Sequence, residues 1–128
     1  MLLNHKNKEI LPFMTTGMDL ENDILIKKNV YVESGGITWL FNSEFYPYPS
    51  AVDAILEAKS ICGMEKLMWG SDYPRTMTAI TYRMSQDFIT KSDKMTEADK
   101  KLFLGENAKS FYRFADMPDI PYTVHMAE

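Results

Sequence analysis

Lys66-Leu67-Met68-Trp69-Gly70-Ser71-Asp72-Tyr73-Pro74 begins as a short apolar run and ends as a turn. The apolar part reads as a buried strand. Gly70 and Ser71 are small, so the backbone there can pass close to a ligand. In a parallel α/β sheet or barrel, the loops past the carboxyl ends of the strands converge, and ligands and catalytic groups collect there. Asp72 lies just past such an end and is followed by Tyr73-Pro74-Arg75. A carboxylate in that place can bind a metal or, beside a metal-bound water, accept that water's proton. The alternative is a turn in which Asp72 caps nearby backbone amides. The residues alone leave both open.

Upstream, Asn29-Val30-Tyr31-Val32-Glu33-Ser34 is a β-branched and aromatic run stopped by Gly35-Gly36, and it predicts a strand. A loop rich in aromatics and proline follows, from Trp39-Leu40-Phe41 through Phe45-Tyr46-Pro47-Tyr48-Pro49. It is long and apolar for a simple connector. A helix is expected from Ser50 as N-cap, with Ala51, Ala54, Ile55, Ala58 and Ile61 at helical spacing and Gly63 as its stop. Two strands with a helix between them have the layout of a βαβ crossover, which favours a parallel pair.

Downstream, Ile80 to Thr90 reads as a helix with Tyr82, Met84, Phe88 and Ile89 on its apolar positions. Thr96-Glu97-Ala98-Asp99 is a helix start of the capping-box type with Asp in the last place. It leads into Leu102, Phe103 and Leu104, and Gly105-Glu106-Asn107 is expected to break or bend that helix before Ala108 to Tyr112. Before residue 28, Leu2-Leu3-Asn4 fits the end of a strand and Asp19 to Lys27 fits a helix. The tail over 117–128, with Pro118 and Pro121, reads as irregular. The result is one α/β domain over residues 1–128.

The chain has 128 residues, 45% hydrophobic, 12% aromatic and 25% charged, a composition that builds a core. A net charge of -4 and the lack of a basic cluster argue against nucleic acid and anionic membrane surfaces as partners. Cys62 is the one cysteine, so no intrachain disulfide forms. No apolar run is long enough for a signal peptide or a membrane span, and a cytoplasmic location is expected. The ten methionines fall mostly at apolar positions and read as core filler.

Three motifs taken in order carry a resemblance. Asn29 to Ser34, then Leu67-Met68-Trp69-Gly70-Ser71-Asp72-Tyr73-Pro74, then Leu104-Gly105-Glu106-Asn107-Ala108 resemble the carboxyl-terminal part of the amidohydrolase-related (amidohydrolase-2) family, TIM-barrel metal-dependent hydrolases. The resemblance implies a partial (β/α)8 barrel made of its carboxyl-terminal βα units, the two strands being its seventh and eighth. It makes Asp72 the aspartate ending strand eight, a metal ligand or the proton acceptor for the attacking water. It implies a divalent metal (zinc first, manganese or cobalt as alternatives) and hydrolysis of a lactone, ester or amide by a metal-activated water. The same family includes non-oxidative decarboxylases of aromatic or related acids.

The chain departs from that family in its histidines. Relatives carry a His-x-His pair on the first strand and further histidines later, whereas this chain has only His5 and His125 and no such pair. A metal site needs three or four ligands, and Asp72 alone does not make one. By position, His5 could match the histidine after strand six, though Lys6-Asn7 stands where a glycine commonly follows; an exposed terminal histidine is the other reading, and His125 reads as surface. Glu33 and Ser34, at a strand end, are candidates for substrate binding, with Glu33 alternatively pairing a nearby cation. Tyr73 is a further candidate, and so is Arg75, which could grip a substrate carboxylate bidentately or be structural. Trp39, Phe41, Tyr46 and Tyr48 line a pocket, serve an oligomer contact, or pack as core under the loop.

A complete (β/α)8 barrel takes about 250 residues. Two or three strands leave sheet edges unpaired. The expected partners are therefore a small-molecule substrate and either a second copy through self-association or a missing amino-terminal half. The isolated chain is expected to be an inactive fragment or a non-catalytic remnant.

Overall fold

The computed structural model describes residues 28–116, together with the backbone of two short strands, β1 (Leu3–Asn4) and β2 (Glu9–Ile10). The expected helix over Asp19 to Lys27, His5, His125 and the tail from Met117 lie outside the described residues. Strand β1 does sit where Leu2-Leu3-Asn4 was expected to end a strand. It does not join the parallel sheet, however: it pairs antiparallel with β2, Leu3 opposite Ile10.

The parallel pair forms as the βαβ layout requires. Strand β3 (Val32–Glu33) runs beside β4 (Leu67–Met68), with Val32 opposite Leu67 and Glu33 opposite Met68. Both strands are shorter than the apolar runs that encode them. The ladder continues past its formal end, because the Ser34 N–H donates to the Met68 carbonyl at 2.8 Å. One βαβ unit of the expected α/β architecture is thus in place, while a closed barrel is not formed among the described residues.

Between the strands, the aromatic loop contains a short helix, α1 (Ile37–Leu40), which starts at Gly36 in the left-handed region (φ 71°). Helix α2 (Pro49–Cys62) starts one residue before the expected position. Proline fits the first helical position because its missing N–H would have no partner there. Its cap is Tyr48 (φ 57°), not Ser50. The Ser50 N–H, a donor without an intrahelical acceptor, is instead taken by the Glu44 carboxylate at 3.1 Å, which also accepts from the Ser50 hydroxyl. Ala51, Val52, Ala54, Ile55, Ala58 and Cys62 form the buried face, and Gly63 (φ 83°) ends the helix as expected.

The helix expected over Ile80 to Thr90 is shorter than the apolar spacing suggests. A 3-10 turn covers Thr76–Thr78, and α3 spans only Met84–Thr90. The Thr81 hydroxyl accepts the Met84 N–H at 3.2 Å, a bond with the spacing of a helix cap, so the helix begins after Thr81 and not at Ile80. Tyr82, expected on the apolar face, is exposed. Phe88 and Ile89 are fully buried as expected.

Helix α4 (Glu97–Lys101) begins with the expected cap, Thr96 Oγ1 accepting the Asp99 N–H at 3.2 Å. The anticipated break at Gly105 takes another form. A π-helical turn, Leu102–Glu106, runs straight into α5 (Asn107–Tyr112). Gly105 faces open space, so nothing forces the chain to turn there. Phe103 and Asn107, four residues apart and so on one face of the helix, are both buried. The core gathers α2, β4, Phe88 and Ile89 of α3, Met95 and Phe103 around one centre. No helix among the described residues is long and apolar enough to cross a membrane.

Candidate functional site at the ends of the parallel strands

Four hydrogen bonds pin the carboxyl end of β4. The Met68 carbonyl accepts from both the backbone N–H and, at 3.1 Å, the hydroxyl of Ser34. The Trp69 N–H donates to the Phe103 carbonyl in the π-helical turn at 2.8 Å, and its indole Nε1 donates to the Ser85 carbonyl at 2.9 Å. Below them, Asn107 Nδ2 donates to the carbonyls of Met64 (2.7 Å) and Leu67 (2.8 Å). β3, α3, the π-helical turn and α5 all converge on this strand end. Sequence reasoning singled out Leu104 to Ala108 only as a motif. The anchoring role of Asn107 was missed, because only the folded chain brings its amide within reach of two carbonyls some forty positions away.

From this fixed base the chain turns sharply. Asp72 takes φ 49°, in the left-handed region that Asp tolerates better than most residues. Its carbonyl accepts the Thr76 N–H at 3.2 Å, opening the 3-10 turn. Amide capping in the turn is done by Ser71, whose Oγ accepts the Tyr73 N–H at 3.2 Å. The Asp72 carboxylate makes no hydrogen bond or ion pair among the described residues. The turn reading is therefore met by Ser71, and the Asp72 side chain is left free of that duty.

Two glycines make room for it. A Cβ on Gly36 would lie 2.7 Å from Asp72 Oδ2, and one on Gly35 would lie 3.9 Å from the Asp72 Cβ. The end of β3 is bare where the Asp72 side chain crosses it. The Glu33 carboxylate uses the same device: Oε1 falls 1.6 Å from a Cβ on Gly70 and 2.6 Å from one on Gly35. Glu33 and Asp72 thus flank Gly35 from two sides. Glu33 makes no ion pair among the described residues.

Around Asp72, a small cavity of about 120 Å³ is lined by Gly36, Trp39, Leu40, Asp72 and Arg75. The Arg75 guanidinium carbon lies over the Trp39 ring, 5.4 Å from its centroid. Tyr73 is exposed on the outside of the turn, and Ser34 is buried with its hydroxyl committed to Met68. The loop aromatics divide. Trp39 faces this cavity, whereas Tyr48 is buried edge-on to Phe88 and Tyr46 packs edge-on to Tyr48 as core. Of the predicted site residues, the fold brings Glu33, Ser34, Asp72, Tyr73 and Arg75 together at one end of the parallel pair.

The amidohydrolase family model matches residues 23–114, most of the chain. The chain belongs to the amidohydrolase family. The match spans all three motifs and both parallel strands, so the strand end carrying Asp72 lies inside the family region. No curated protein and no solved structure matches the chain. Members of the family generally use divalent metals. Among the described residues, no group of three or more His, Cys, Asp or Glu side chains is placed to hold one. The Glu33 and Asp72 carboxylates are too few donors for a metal centre by themselves.

Proposed function

We propose that this amidohydrolase chain contributes the Asp72 end of a hydrolytic site acting on a lactone, ester or amide. The carrying observation is the Asp72 carboxylate, past the carboxyl end of a parallel strand, lying over a bare glycine and without a donor among the described residues. In this role it takes a proton from the attacking water as the new bond to the carbonyl carbon forms. It then gives that proton to the leaving oxygen or nitrogen as the old bond breaks. Ser34 acts here as a positioning residue, holding β3 and β4 in register beneath the site. Glu33 and Arg75 lie on the substrate side, while Tyr73, on the outside of the turn, would meet a substrate only at the rim.

A divalent metal (zinc, with manganese or cobalt next) belongs to this reading through the family. The described residues do not form its site, so its remaining ligands come from beyond them, with His5 the candidate in this chain. The βαβ unit then stands as the carboxyl-terminal part of a (β/α)8 barrel, completed by an amino-terminal half or a second copy. The test is metal analysis of the purified chain after gel filtration, with and without added zinc. Stoichiometric zinc that falls in Asp72→Asn is the expected result, and a metal-free chain at every zinc concentration would refute a metal centre in this chain.

Two alternatives rest on observations of their own. Non-oxidative decarboxylation of an aromatic or related acid draws support from the Arg75 cation in the Asp72 cavity. Self-association as a non-catalytic module draws support from a cluster of exposed rings. Tyr31 lies 4.7 Å from Phe111, Phe111 4.9 Å from Tyr112, and Tyr112 5.5 Å from Phe114. Such a patch on a soluble surface marks a contact site. A monomeric mass by light scattering across a wide concentration range would dismiss that second alternative.

A further inference from the structure

We propose that the carboxyl-terminal segment 117–128 folds back along α5 and covers the exposed rings of Tyr31, Phe111, Tyr112 and Phe114, held by an ion pair from Asp119 to Arg113. The inference is independent of the hydrolytic reading, since neither the rings nor the segment line the Asp72 cavity.

The rings form a continuous row. Tyr31, just before β3, lies 4.7 Å from Phe111, and the row continues through Tyr112 to Phe114. All four are exposed, Phe114 at 62%. An apolar row of this kind gains by being covered, because burial takes its surface out of water.

The chain already turns toward the row where the described residues end. Arg113 takes φ 56°, its N–H donates to the Ser110 carbonyl at 3.3 Å, and the Phe114 N–H donates to the Lys109 carbonyl at 3.1 Å. These are the two bonds of a helix stop built on a left-handed residue past the last turn. Asp116 then pairs with Lys109, so the chain comes back beside α5 instead of leading away from it. A groove of about 470 Å³ lies on this side of the helix, lined by Glu106, Lys109, Ser110, Arg113 and Phe114.

The segment that follows has the chemistry of an occupant. Ile120, Tyr122, Val124 and Met126 stand at every second position, which on an extended chain is one face. Pro118 and Pro121 suit extended backbone and not a helix interior. At about 3.3 Å per extended residue, the segment is long enough to cross the whole row. Arg113 makes no ion pair among the described residues, and Asp119 follows Asp116 by three positions. Charges therefore match twice along the return, Lys109 with Asp116 and Arg113 with Asp119. So short a tether holds the segment near the rings at roughly millimolar effective concentration, above that of a second copy in dilute solution.

The test is nuclear Overhauser spectroscopy on the full chain with labelled methyl groups. Contacts from the Ile120 and Val124 methyls to the Phe111 and Tyr31 rings are expected, at a relative intensity unchanged by tenfold dilution. Arg113→Glu is expected to weaken them at least twofold, and Asp119→Arg in that background to restore them. Arg113 is exposed, so its replacement leaves the core intact. Contacts that persist undiminished in Arg113→Glu would overturn the ion pair. Absence of the contacts in the parent chain would overturn the proposal. So would contacts seen only between labelled and unlabelled chains of a mixed sample, which would make a second copy the occupant.

Discussion

Glu33 Oε1 occupies the space that a Cβ on Gly70 would need, 1.6 Å from that atom's ideal position. The Gly70 of the strand-end motif is therefore paired with a residue of the other strand, Glu33, not with anything local. Glu33 ends β3 and Gly70 lies two residues past the end of β4, and their fit limits how closely the chain ends of the pair approach.

Replacing Gly70 with Ala forces Glu33 out and brings the new methyl to 3.1 Å from the Gly35 Cα, which is backbone and cannot swing aside. Gly70→Ala is expected to destabilise by about 1–3 kcal/mol, the usual cost of overpacking. In a Glu33→Ala background the cost falls, because only the Gly35 contact remains. Urea denaturation of the double-mutant cycle measures the coupling, expected at about 0.5–2 kcal/mol for contacting residues. Strict additivity would contradict the close fit.

Asn107 is buried and satisfies two carbonyls, those of Met64 and Leu67. Asn107→Ala leaves both unpaired inside the fold and is expected to cost about 2–4 kcal/mol. Asn107→Asp is expected to be worse at neutral pH, since a carboxylate would face two carbonyl oxygens. It should regain part of the loss in acid, where the protonated carboxyl donates to one of them. Chemical denaturation at two pH values separates the variants, and equal stability of the two at neutral pH would be inconsistent with this geometry.

The Asp99 carboxylate is held below its ordinary value of 3.8, first by the Lys59 ammonium at 2.8 Å and then by the Thr96 hydroxyl at 2.8 Å. Folded Asp99 binds a proton less readily than the unfolded chain does, so acid favours unfolding. Its contribution is complete above the ordinary carboxylate value and is lost as pH falls through the lower, folded one. Asp87 is also held down, chiefly by Lys91, but it lies at the surface where salt screens the pair. A melting temperature that falls below about pH 4, with a smaller fall in Asp99→Asn even at high salt, is the expected result. Identical acid slopes for parent and variant would assign the effect elsewhere.

Thr76 is almost completely buried, and its hydroxyl has no hydrogen-bond partner among the described residues. An isosteric Thr76→Val removes an unsatisfied polar atom and keeps the volume. It is expected to stabilise by roughly 0.5–1.5 kcal/mol. Calorimetry checks this directly. A loss of stability would mean that the hydroxyl has a partner in the folded protein.

The order of elements was legible because its signals are local. The β-branched run before Gly35-Gly36, Gly63 after α2 and the Thr96 cap each depend on a few neighbours, and each is where expected. Errors arose where a distant or competing bond took over. Glu44 displaced Ser50 at the start of α2, the Thr81 hydroxyl made a capping bond beyond the expected start of α3, and a π-helical turn replaced the break at Gly105. None of these is visible in apolar spacing, which records burial and not hydrogen-bond choice.

The sequence by itself determined the parallel strand pair, the family, and the position of Asp72 past the end of the second strand, because periodicity and short motifs are properties of contiguous residues. The tertiary structure decided what surrounds Asp72. It placed Gly36 under the carboxylate, Arg75 over Trp39 beside it, and Ser34, Phe103 and Asn107 as the anchors of the strand beneath. Those relations join residues far apart in the chain, and only packing of the βαβ unit against the carboxyl-terminal helices brings them within bonding distance.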